Sequence, residues 1–457
     1  MKNVLKRIRS FTLIMVLALT LTAQSFVETE AAETVPAKPK ISVEVSLDCI
    51  TVSIKKTENA DGYRIYIKGK DGNKYSVSVN VKDSGARKTT YTIDGLKDGE
   101  YRVRAKAYSG SVYSKYSSSK NVVVDTKDGL SLWNDDAPLK KELISYLKAV
   151  TDETSAYYIP VENRIAVFDL DGTLFCETDP NYFDHMLLLH RVTEDPDYKD
   201  KASDFERETA EKIIEMNETG TEAKGLPVDH GTSVATAFAG MTQDEFIEYI
   251  QKFKELPMPG YEGMNRGDGW YKPMLEVVEL LQANDFTVYI VSGTDRYIVR
   301  GLIYNSPLDI PNRQIIGSDE TLISSGQNGT DGLDYVFKDG EKVVLGGGFV
   351  VKNLKMNKVT AIVREIGVQP VLSFGNSSGD SSMAEYTTSN NKYKSLAFML
   401  CCDDTERENG NAGKAEKMYD MCEEFDWIPV SMKNDWKTIY GDGVVRKSQA
   451  DESDIAA

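Results

Sequence analysis

The stretch R-I-A-V-F-D-L-D-G-T-L-F, from Arg164 to Phe175, is the most informative part of the chain. Ile165 to Phe168 form a short apolar run of the kind that a buried parallel strand uses. The run ends at Asp169, and Asp171 follows on the same side of an extended chain. Gly172 then frees the backbone to turn. Two carboxylates at the C-terminal end of a strand suit Mg2+ binding and acid–base or nucleophilic chemistry, although an aspartate that only caps a helix is the plainer alternative.

Apolar runs and helical patterns alternate through the rest of this region, which predicts an α/β fold. The predicted strands are 164–168, 286–291, 313–316, 370–374 and 395–400. The clearest helical segments between them are 273–283, 294–303 and 357–366. Such alternation is typical of a doubly wound, Rossmann-like, mostly parallel sheet. The long interval after the first strand is mainly helical in pattern, and we interpret residues 176–270 as a cap inserted over the strand ends.

Three further segments place polar residues where a strand ends or a helix begins. They are T-V-Y-I-V-S-G-T (287–294), M-N-K-V-T-A-I-V-R-E-I (356–366) and V-L-S-F-G-N-S-S-G-D (371–380). In the first, Ser292 and the N–H groups that follow, beginning at Gly293, are suited to hold an anion. Lys358 stands at the start of an amphipathic helix, and Asn376 precedes Asp380 by four positions. Each segment alone has an ordinary interpretation as a turn or a solvated helix, but four of them in a fixed order indicate one site.

These four segments resemble the motifs of the haloacid dehalogenase superfamily, in particular its phosphatases of phosphoserine-phosphatase type with a cap between the first and second motifs. The resemblance covers about Leu139 to Gly441. It implies that Asp169 is a nucleophile that forms an aspartyl-phosphate and that Asp171 is the acid and then the base. Phosphatases of the superfamily have a carboxylate at the position of Asp171, whereas its dehalogenases do not.

The resemblance also implies a set of binding residues. The phosphate-binding residues would be Ser292, Gly293 and Lys358. The Mg2+ ligands would be Asp169, Asp171, Asn376 and Asp380, directly or through water. A cation is also expected on physical grounds, because a phosphate dianion and a carboxylate nucleophile repel each other. Asn376 stands where the family usually has aspartate, so the site has one negative charge fewer and we expect weaker Mg2+ affinity.

The N-terminal region has a different pattern, with about seven short alternating strands between Ile41 and Val124 separated by Asp-Gly and similar turns. This predicts an all-β sandwich. The segments A-D-G-Y-R-I-Y-I (60–67) and G-L-K-D-G-E-Y-R-V-R-A-K-A-Y (95–108) resemble a fibronectin type III domain. Leu96 and Tyr101 match its tyrosine corner, while Ile54 replaces the usual tryptophan. The resemblance implies a spacer or adhesion module, with possible contact to a cell surface or polysaccharide.

The first residues have the pattern of a signal peptide. Four basic residues precede the apolar segment Phe11 to Ala23, which is too short to span a bilayer: Lys2, Lys6, Arg7 and Arg9. We therefore predict a secreted protein with no membrane span after cleavage, although an uncleaved anchor is an alternative. The formal charge of -17 argues against nucleic acid as a partner. The five cysteines are too few and too irregular for a disulfide framework.

The predicted organisation is a signal peptide (1–32), a β-sandwich (38–125), a linker (126–137), a hydrolase domain (138–446) and a disordered tail (447–457). The predicted function is secreted, Mg2+-dependent hydrolysis of a small phosphorylated molecule. Two alternatives stay open, namely a cell-surface binding protein with a degenerate fold and a phosphotransferase. All three histidines of the chain lie in the predicted cap, and we interpret them as core or surface residues, since His185 and His190 are about 140° apart on a helix.

Overall fold

The computed structural model describes residues 35–46, 49–70, 76–93, 95–124 and 129–447. The predicted signal peptide and, from residue 448, the predicted tail lie outside this part of the chain. The chain divides into two compact units, with the boundary between residues 126 and 127. Among the described residues, every helix is too short or too polar to cross a bilayer.

The N-terminal unit consists of antiparallel strands in two sheets. The strands are β1 (Ile41–Ser46), β2 (Cys49–Lys55), β3 (Gly62–Gly69), β4 (Ser76–Lys82), β5 (Lys88–Ile93), β6 (Gly99–Ser109), β7 (Val112–Tyr113) and β8 (Lys120–Val124). One sheet has the order β1-β2-β5, and the other has the order β4-β3-β6, with β7 and β8 both paired to β6. Fully buried side chains alternate with partly exposed ones along most of β2 and β3, because successive residues of a strand point to opposite faces.

The residues behind the fibronectin resemblance lie in the core of this unit. Tyr101 is fully buried, and its hydroxyl donates a hydrogen bond to the carbonyl oxygen of Lys97 at 2.8 Å, as in a tyrosine corner. Leu96 packs in the same cluster. Ile54 is fully buried at the position that the family gives to tryptophan. The all-β interpretation of this region is therefore confirmed.

The second unit alternates strands and helices. Its strands are β9 (Ile165–Phe168), β10 (Tyr261–Glu262), β11 (Thr287–Asp295), β12 (Ile315–Ser324), β13 (Val343–Val351), β14 (Leu372–Gly375), β15 (Leu396–Cys401), β16 (Ile428–Ser431) and β17 (Val445–Arg446). Its α-helices are α1 (Pro138–Thr151), α2 (Phe183–Thr193), α3 (Asp204–Thr219), α4 (Leu226–Ala237), α5 (Gln243–Lys254), α6 (Lys272–Ala283), α7 (Arg296–Ile303), α8 (Met356–Ala361), α9 (Ser381–Thr388), α10 (Ala412–Phe425) and α11 (Met432–Asp435). A π-helical turn, Ile362–Ile366, continues α8.

Seven strands form the central sheet, in the order β13-β12-β11-β9-β14-β15-β16. All neighbouring pairs are parallel except β12 and β13, which form an antiparallel hairpin at one edge. From β9 the chain moves to one side of the sheet and later returns through β14 to build the other side. The carboxyl ends of β9 and β14 therefore flank a topological switch point, where open α/β sheets bind ligands. The predicted doubly wound fold is confirmed.

The cap consists of helices α2 to α5, which lie in sequence between β9 and β10. Two of them begin with a capping box, Ser203 with Glu206 for α3 and Thr242 with Glu245 for α5. In both, the side chain of the first residue accepts a hydrogen bond from the backbone N–H three positions later. The glutamate side chain accepts one from the backbone N–H of the first residue. These caps explain why the charged stretch after the first motif folds into defined helices, as its pattern predicts.

Part of the predicted linker (126–137) belongs to the core of the second unit instead. Leu130 and Trp133 are fully buried, and the indole ring of Trp133 lies 5.7 Å from that of Trp436 in an edge-to-face contact. The indole N–H of Trp133 also donates to the carbonyl oxygen of Pro273 at 2.9 Å. This segment has neither helical nor strand periodicity, so the sequence pattern gives no sign that it is packed. Cys176, Cys401, Cys402 and Cys422 are free thiols.

Candidate active site

The loop after β9 carries both predicted carboxylates and is joined to the neighbouring strand β14. The N–H of Asp169 donates to the carbonyl oxygen of Phe374 at 2.9 Å, and the rings of Phe168 and Phe374 stack at 4.1 Å. Gly172 has a φ of +75°, a conformation that glycine adopts without strain. A Cβ atom at Gly172 would also collide with the side chain of Asn376. The loop thus brings the first and fourth motifs into direct contact.

Lys358 joins the third motif to the other two through its buried ammonium group. Its Nζ donates to Oδ1 of Asp169 at 2.5 Å and to Oδ1 of Asp380 at 2.6 Å. Only 1% of the Lys358 side chain is exposed. Burial opposes a charge on the amine, but the two carboxylates outweigh this effect and raise the pKa of Lys358. The lysine is therefore a fixed cation between two predicted metal ligands.

Asp380 also organises the turn that follows β14. Its Oδ2 accepts hydrogen bonds from the N–H groups of Asn376 at 3.1 Å and Ser377 at 3.0 Å. Because Oδ1 accepts the bond from Lys358, both oxygens of Asp380 have protein partners. Asn376 is turned toward Gly172 and lines the same pocket as Asp169.

In the second motif, the hydroxyl group that reaches the carboxylates is not that of Ser292. Ser292 is fully buried, and its Oγ accepts the N–H of Thr294 at 3.0 Å, which closes a turn-like irregularity in the C-terminal part of β11. Gly293 and Thr294 line the pocket. Thr294 Oγ1 donates to Oδ2 of Asp171 at 2.8 Å. Thr294 was not among the predicted site residues, although it is the last residue of the string S-G-T in the same motif.

Two side chains from neighbouring elements hold this turn in place. Ser318, on β12, donates its hydroxyl to the carbonyl oxygen of Gly293 at 2.6 Å. Asn353 donates its side-chain amide to the carbonyl oxygen of Ser292 at 2.9 Å. Both carbonyl oxygens of this turn therefore have side-chain partners within the protein.

The pocket that these motifs form is closed on one side by the cap. From the central sheet and its loops it is lined by Asp169, Asp171, Gly293, Thr294, Lys352, Leu354, Lys358, Asn376, Ser377 and Asp380. From the cap side it is lined by Glu177, Tyr182, Asp184, His185, Glu222 and Pro227. Of the predicted site residues, all but Ser292 line this one pocket. It lies at the switch point between β9 and β14.

Comparison with known families gives a match over residues 166–385, to the family model described as haloacid dehalogenase-like hydrolase. The matched segment begins at β9 and contains every predicted site residue from Asp169 to Asp380. This segment belongs to the haloacid dehalogenase-like hydrolases. The sequence resemblance to that superfamily is thereby confirmed, and the second unit is a hydrolase.

Among solved structures, this hydrolase is similar to a conserved, functionally unknown protein from Anaerococcus prevotii, with 12% identity, a TM-score of 0.41 and coverage of 67% of this chain and 97% of that one. It is also similar to cytosolic 5'-nucleotidase IIIB bound to cytidine, with 13% identity, a TM-score of 0.41 and coverage of 68% and 93%. The FN5 domain of Drosophila Lar aligns with 20% of this chain and 97% of its own length, at 20% identity and a TM-score of 0.17. The comparison with curated proteins returned no match.

Negative charge in the pocket of the hydrolase exceeds what its lysines balance. Burial and the charge of Asp380 raise the pKa of Asp169 to about 7, against the opposing effect of Lys358. Burial, Asp184 and Asp169 together raise the pKa of Asp171 well above the ordinary value of an aspartate. A divalent cation would relieve this repulsion. Carboxylate, amide and main-chain carbonyl oxygens are the ligands that Mg2+ prefers, so the residues present fit that ion.

Proposed function

We propose that the hydrolase unit is a Mg2+-dependent phosphatase that cleaves a small phosphomonoester through an aspartyl-phosphate. One observation carries the proposal. Asp169 and Asp171 lie at the end of the same strand, and the ammonium group of Lys358 is bonded to Asp169 in the same pocket. This combination supplies a nucleophile, a second carboxylate for proton transfer and a fixed positive charge for the phosphoryl oxygens.

In the first step, a carboxylate oxygen of Asp169 attacks phosphorus, and the bond between phosphorus and the ester oxygen breaks. Asp171 donates its proton to that leaving oxygen, so an alcohol departs rather than an alkoxide. The raised pKa of Asp171 supports this role, because it favours the protonated form of the carboxyl group that an acid needs. Thr294 fixes the orientation of the Asp171 carboxylate through its hydroxyl group.

In the second step, water attacks phosphorus, and the bond between Asp169 and phosphorus breaks to release inorganic phosphate. Asp171, now deprotonated, takes a proton from that water. Lys358 and the N–H group of Gly293 stabilise the charge that develops on the phosphoryl oxygens. Ser292 supports this N–H group indirectly, by accepting the N–H of Thr294 and so closing the turn around Gly293.

Asp169, the main-chain carbonyl of Asp171, Asn376 and Asp380 would hold the Mg2+. When bound, the ion supplies positive charge that offsets the repulsion between the phosphate and the carboxylates. Asp380 would act through water, because both of its oxygens have protein partners.

Outside the hydrolase unit, the proposal keeps the sequence predictions. Residues 1–32 would direct secretion, leaving no membrane span after cleavage. The N-terminal β-sandwich would be a fibronectin type III-like spacer that contacts a cell surface or polysaccharide. A chain with a formal charge of -17 is a poor ligand for nucleic acid, so we expect a small phosphorylated molecule as the partner.

Turnover of p-nitrophenyl phosphate by the purified protein, with Mg2+ and with chelator, tests the proposal. We expect hydrolysis that needs Mg2+ and that disappears in Asp169→Asn. The matched control is Asp200→Asn, at an exposed aspartate of the cap, which should hydrolyse at the wild-type rate. Unchanged turnover in Asp169→Asn would contradict the mechanism. A binding protein with a degenerate fold would show no turnover under either condition, and a phosphotransferase would form new esters when alcohols are added.

A further inference from the structure

We propose that the cap contains a second metal site, for Zn2+ or a related divalent transition metal, formed by Asp184, His185 and His230. None of these residues belongs to the four motifs of the active site. One potential ligand atom from each residue lies within 4.8 Å of the other two. Two imidazoles and one carboxylate are the ligand set of many zinc sites that keep a position open.

Three of the four ring nitrogens of this cluster are buried without a hydrogen-bond partner among the described residues. His230 is 1% exposed and His185 is 6% exposed. Within the described part of the chain, both ring nitrogens of His230 and Nδ1 of His185 lack a hydrogen-bond partner. Asp184 Oδ2 lies 3.8 Å from His230 Nδ1, which is too long for a hydrogen bond. Each buried polar group without a partner lowers the free energy of unfolding by about 1–3 kcal/mol. A metal ion bound between the three side chains would remove this cost.

The fold brings the three side chains together from two cap helices. Asp184 and His185 lie in the first turn of α2, whereas His230 lies in the first half of α4. The rings of His185 and His230 are 4.2 Å apart between centroids. A metal ion held between the two rings would take an unprotonated nitrogen from each imidazole.

Imidazole ligands also indicate the class of ion. Mg2+ prefers oxygen ligands, whereas nitrogen ligands favour Zn2+ and its neighbours among the transition metals. Asp184 and His185 line the pocket of the proposed active site, so an open coordination position would face the substrate. The site would then bind an oxygen or nitrogen group of the substrate away from its phosphate. Lys352 lines the same pocket, and its positive charge opposes the binding of a cation there.

Metal stoichiometry in the full-length purified protein tests the proposal. After removal of metals with a chelator, the protein is equilibrated with Zn2+ and separated from free ion, and its zinc content is measured by elemental mass spectrometry. The affinity for Zn2+ is measured by competition with a chromophoric chelator. We expect one tightly bound Zn2+ for each chain. His230→Gln and His185→Ala should each weaken binding more than about 100-fold, since loss of a ligand exceeds the 10–100-fold effect typical of its supporting residues.

Two controls separate this site from the rest of the molecule. His190→Ala removes the third histidine, which bonds Glu194 at 2.8 Å and lies outside the cluster, and should bind Zn2+ like the wild type. Asp169→Asn should also retain the bound Zn2+, because it alters only the proposed catalytic carboxylates. Lys352→Met should tighten binding by removing the opposing charge.

Co2+ substitution provides a readout that does not depend on activity. The wild type and His190→Ala should show the visible absorption of a nitrogen-ligated Co2+ of low coordination number, and His185→Ala should not. Circular dichroism melts would establish that each variant is folded. If a histidine variant does not fold, the Asp184→Asn variant is measured in its place. The proposal is wrong if the wild type binds neither ion stoichiometrically, or if binding survives both histidine variants and disappears in Asp169→Asn.

Discussion

Lys358 is buried between Asp169 and Asp380, where its ammonium group contacts one oxygen of each carboxylate. Three charged groups that share a buried site are costly to desolvate, and they are tolerated only because each has partners. The arrangement explains why a lysine that looks like an ordinary solvated helix residue in the sequence is one of the least exposed polar side chains of the protein.

Replacement of Lys358 by methionine should therefore leave two uncompensated carboxylates. We expect Lys358→Met to lower the free energy of unfolding by about 3–5 kcal/mol and to reduce phosphatase activity strongly. Added Mg2+ should restore part of the stability but little of the activity. Urea unfolding with and without Mg2+ measures this. Lys417→Met, at an exposed position on α10, is the control, and equal stability of the two variants would contradict the prediction.

Asn376 is the residue where the chain departs from the usual pattern of its family. If Asn376 contributes to the Mg2+ site, Asn376→Asp adds a negative charge there. The Mg2+ concentration for half-maximal activity should then fall by about tenfold or more, since Coulomb attraction is strong at a partly buried site. A Mg2+ titration of the hydrolysis rate measures this. Asn328→Asp adds the same charge outside the pocket and should leave the titration unchanged; a similar shift in both variants would exclude the local role.

Gly172 offers a second test at the level of one residue, with Gly220 as its control. Both have a positive φ, +75° and +67°, but only a Cβ at Gly172 would meet another group, the side chain of Asn376. Gly220→Ala should cost about 1–2 kcal/mol of stability, from backbone strain alone. Gly172→Ala should cost more and also lower activity, because Asn376 must move. Chemical unfolding and turnover of both variants separate strain from displacement, and intact activity in Gly172→Ala would contradict the clash.

At the level of elements, three adjacent parallel strands are held together by stacked aromatic rings. Phe374 on β14 lies 4.1 Å from Phe168 on β9 and 5.0 Å from Phe398 on β15, with nearly parallel rings. All three are fully buried. Since Phe168 precedes Asp169 and Phe374 precedes the turn of Asn376, this stack sets the spacing of the strand ends that build the site.

Truncation of the central ring should affect both stability and catalysis. Phe374→Ala is expected to lower the free energy of unfolding by about 3–5 kcal/mol, the usual cost of removing a buried phenylalanine. Phe374→Leu keeps most of the volume and should cost less. Thermal unfolding and turnover are measured for both variants, to test whether activity decreases together with stability. Equal effects of the two substitutions would show that ring packing does not set the strand ends.

On the scale of the whole molecule, each compact unit has a hydrophobic core of its own. The core of the N-terminal unit is built from β-strand residues such as Ile65 and Tyr101, whereas that of the second unit begins with Leu130 and includes the sheet and the cap. Independent cores are what allow domains to fold alone.

We therefore predict that a protein of residues 127–457 folds cooperatively and hydrolyses a small phosphomonoester with a kcat/KM within about threefold of the full-length value. Circular dichroism, a urea melt and a turnover assay on the fragment test this. The isolated segment 35–126, produced in parallel, should show no turnover. Loss of activity in a fragment that remains folded would mean that the β-sandwich contributes to catalysis.

The sequence alone determined the parts of the protein that depend on local order. Apolar runs that end in polar residues predicted β9 and β14 with their carboxyl-end loops, because a buried strand needs a continuous apolar run and a loop does not. The same reasoning predicted the helical cap and the pocket residues Asp169, Asp171 and Lys358.

Only the tertiary structure decided which polar side chains meet. Thr294 rather than Ser292 reaches Asp171, and His230 joins Asp184 and His185 from another helix. Trp133 packs in a core from a segment without periodicity. The physical reason is the same in each case. Periodicity reports which face of a segment is buried, but the contacts between two segments depend on how their helices and turns pack, which the local pattern of residues does not record.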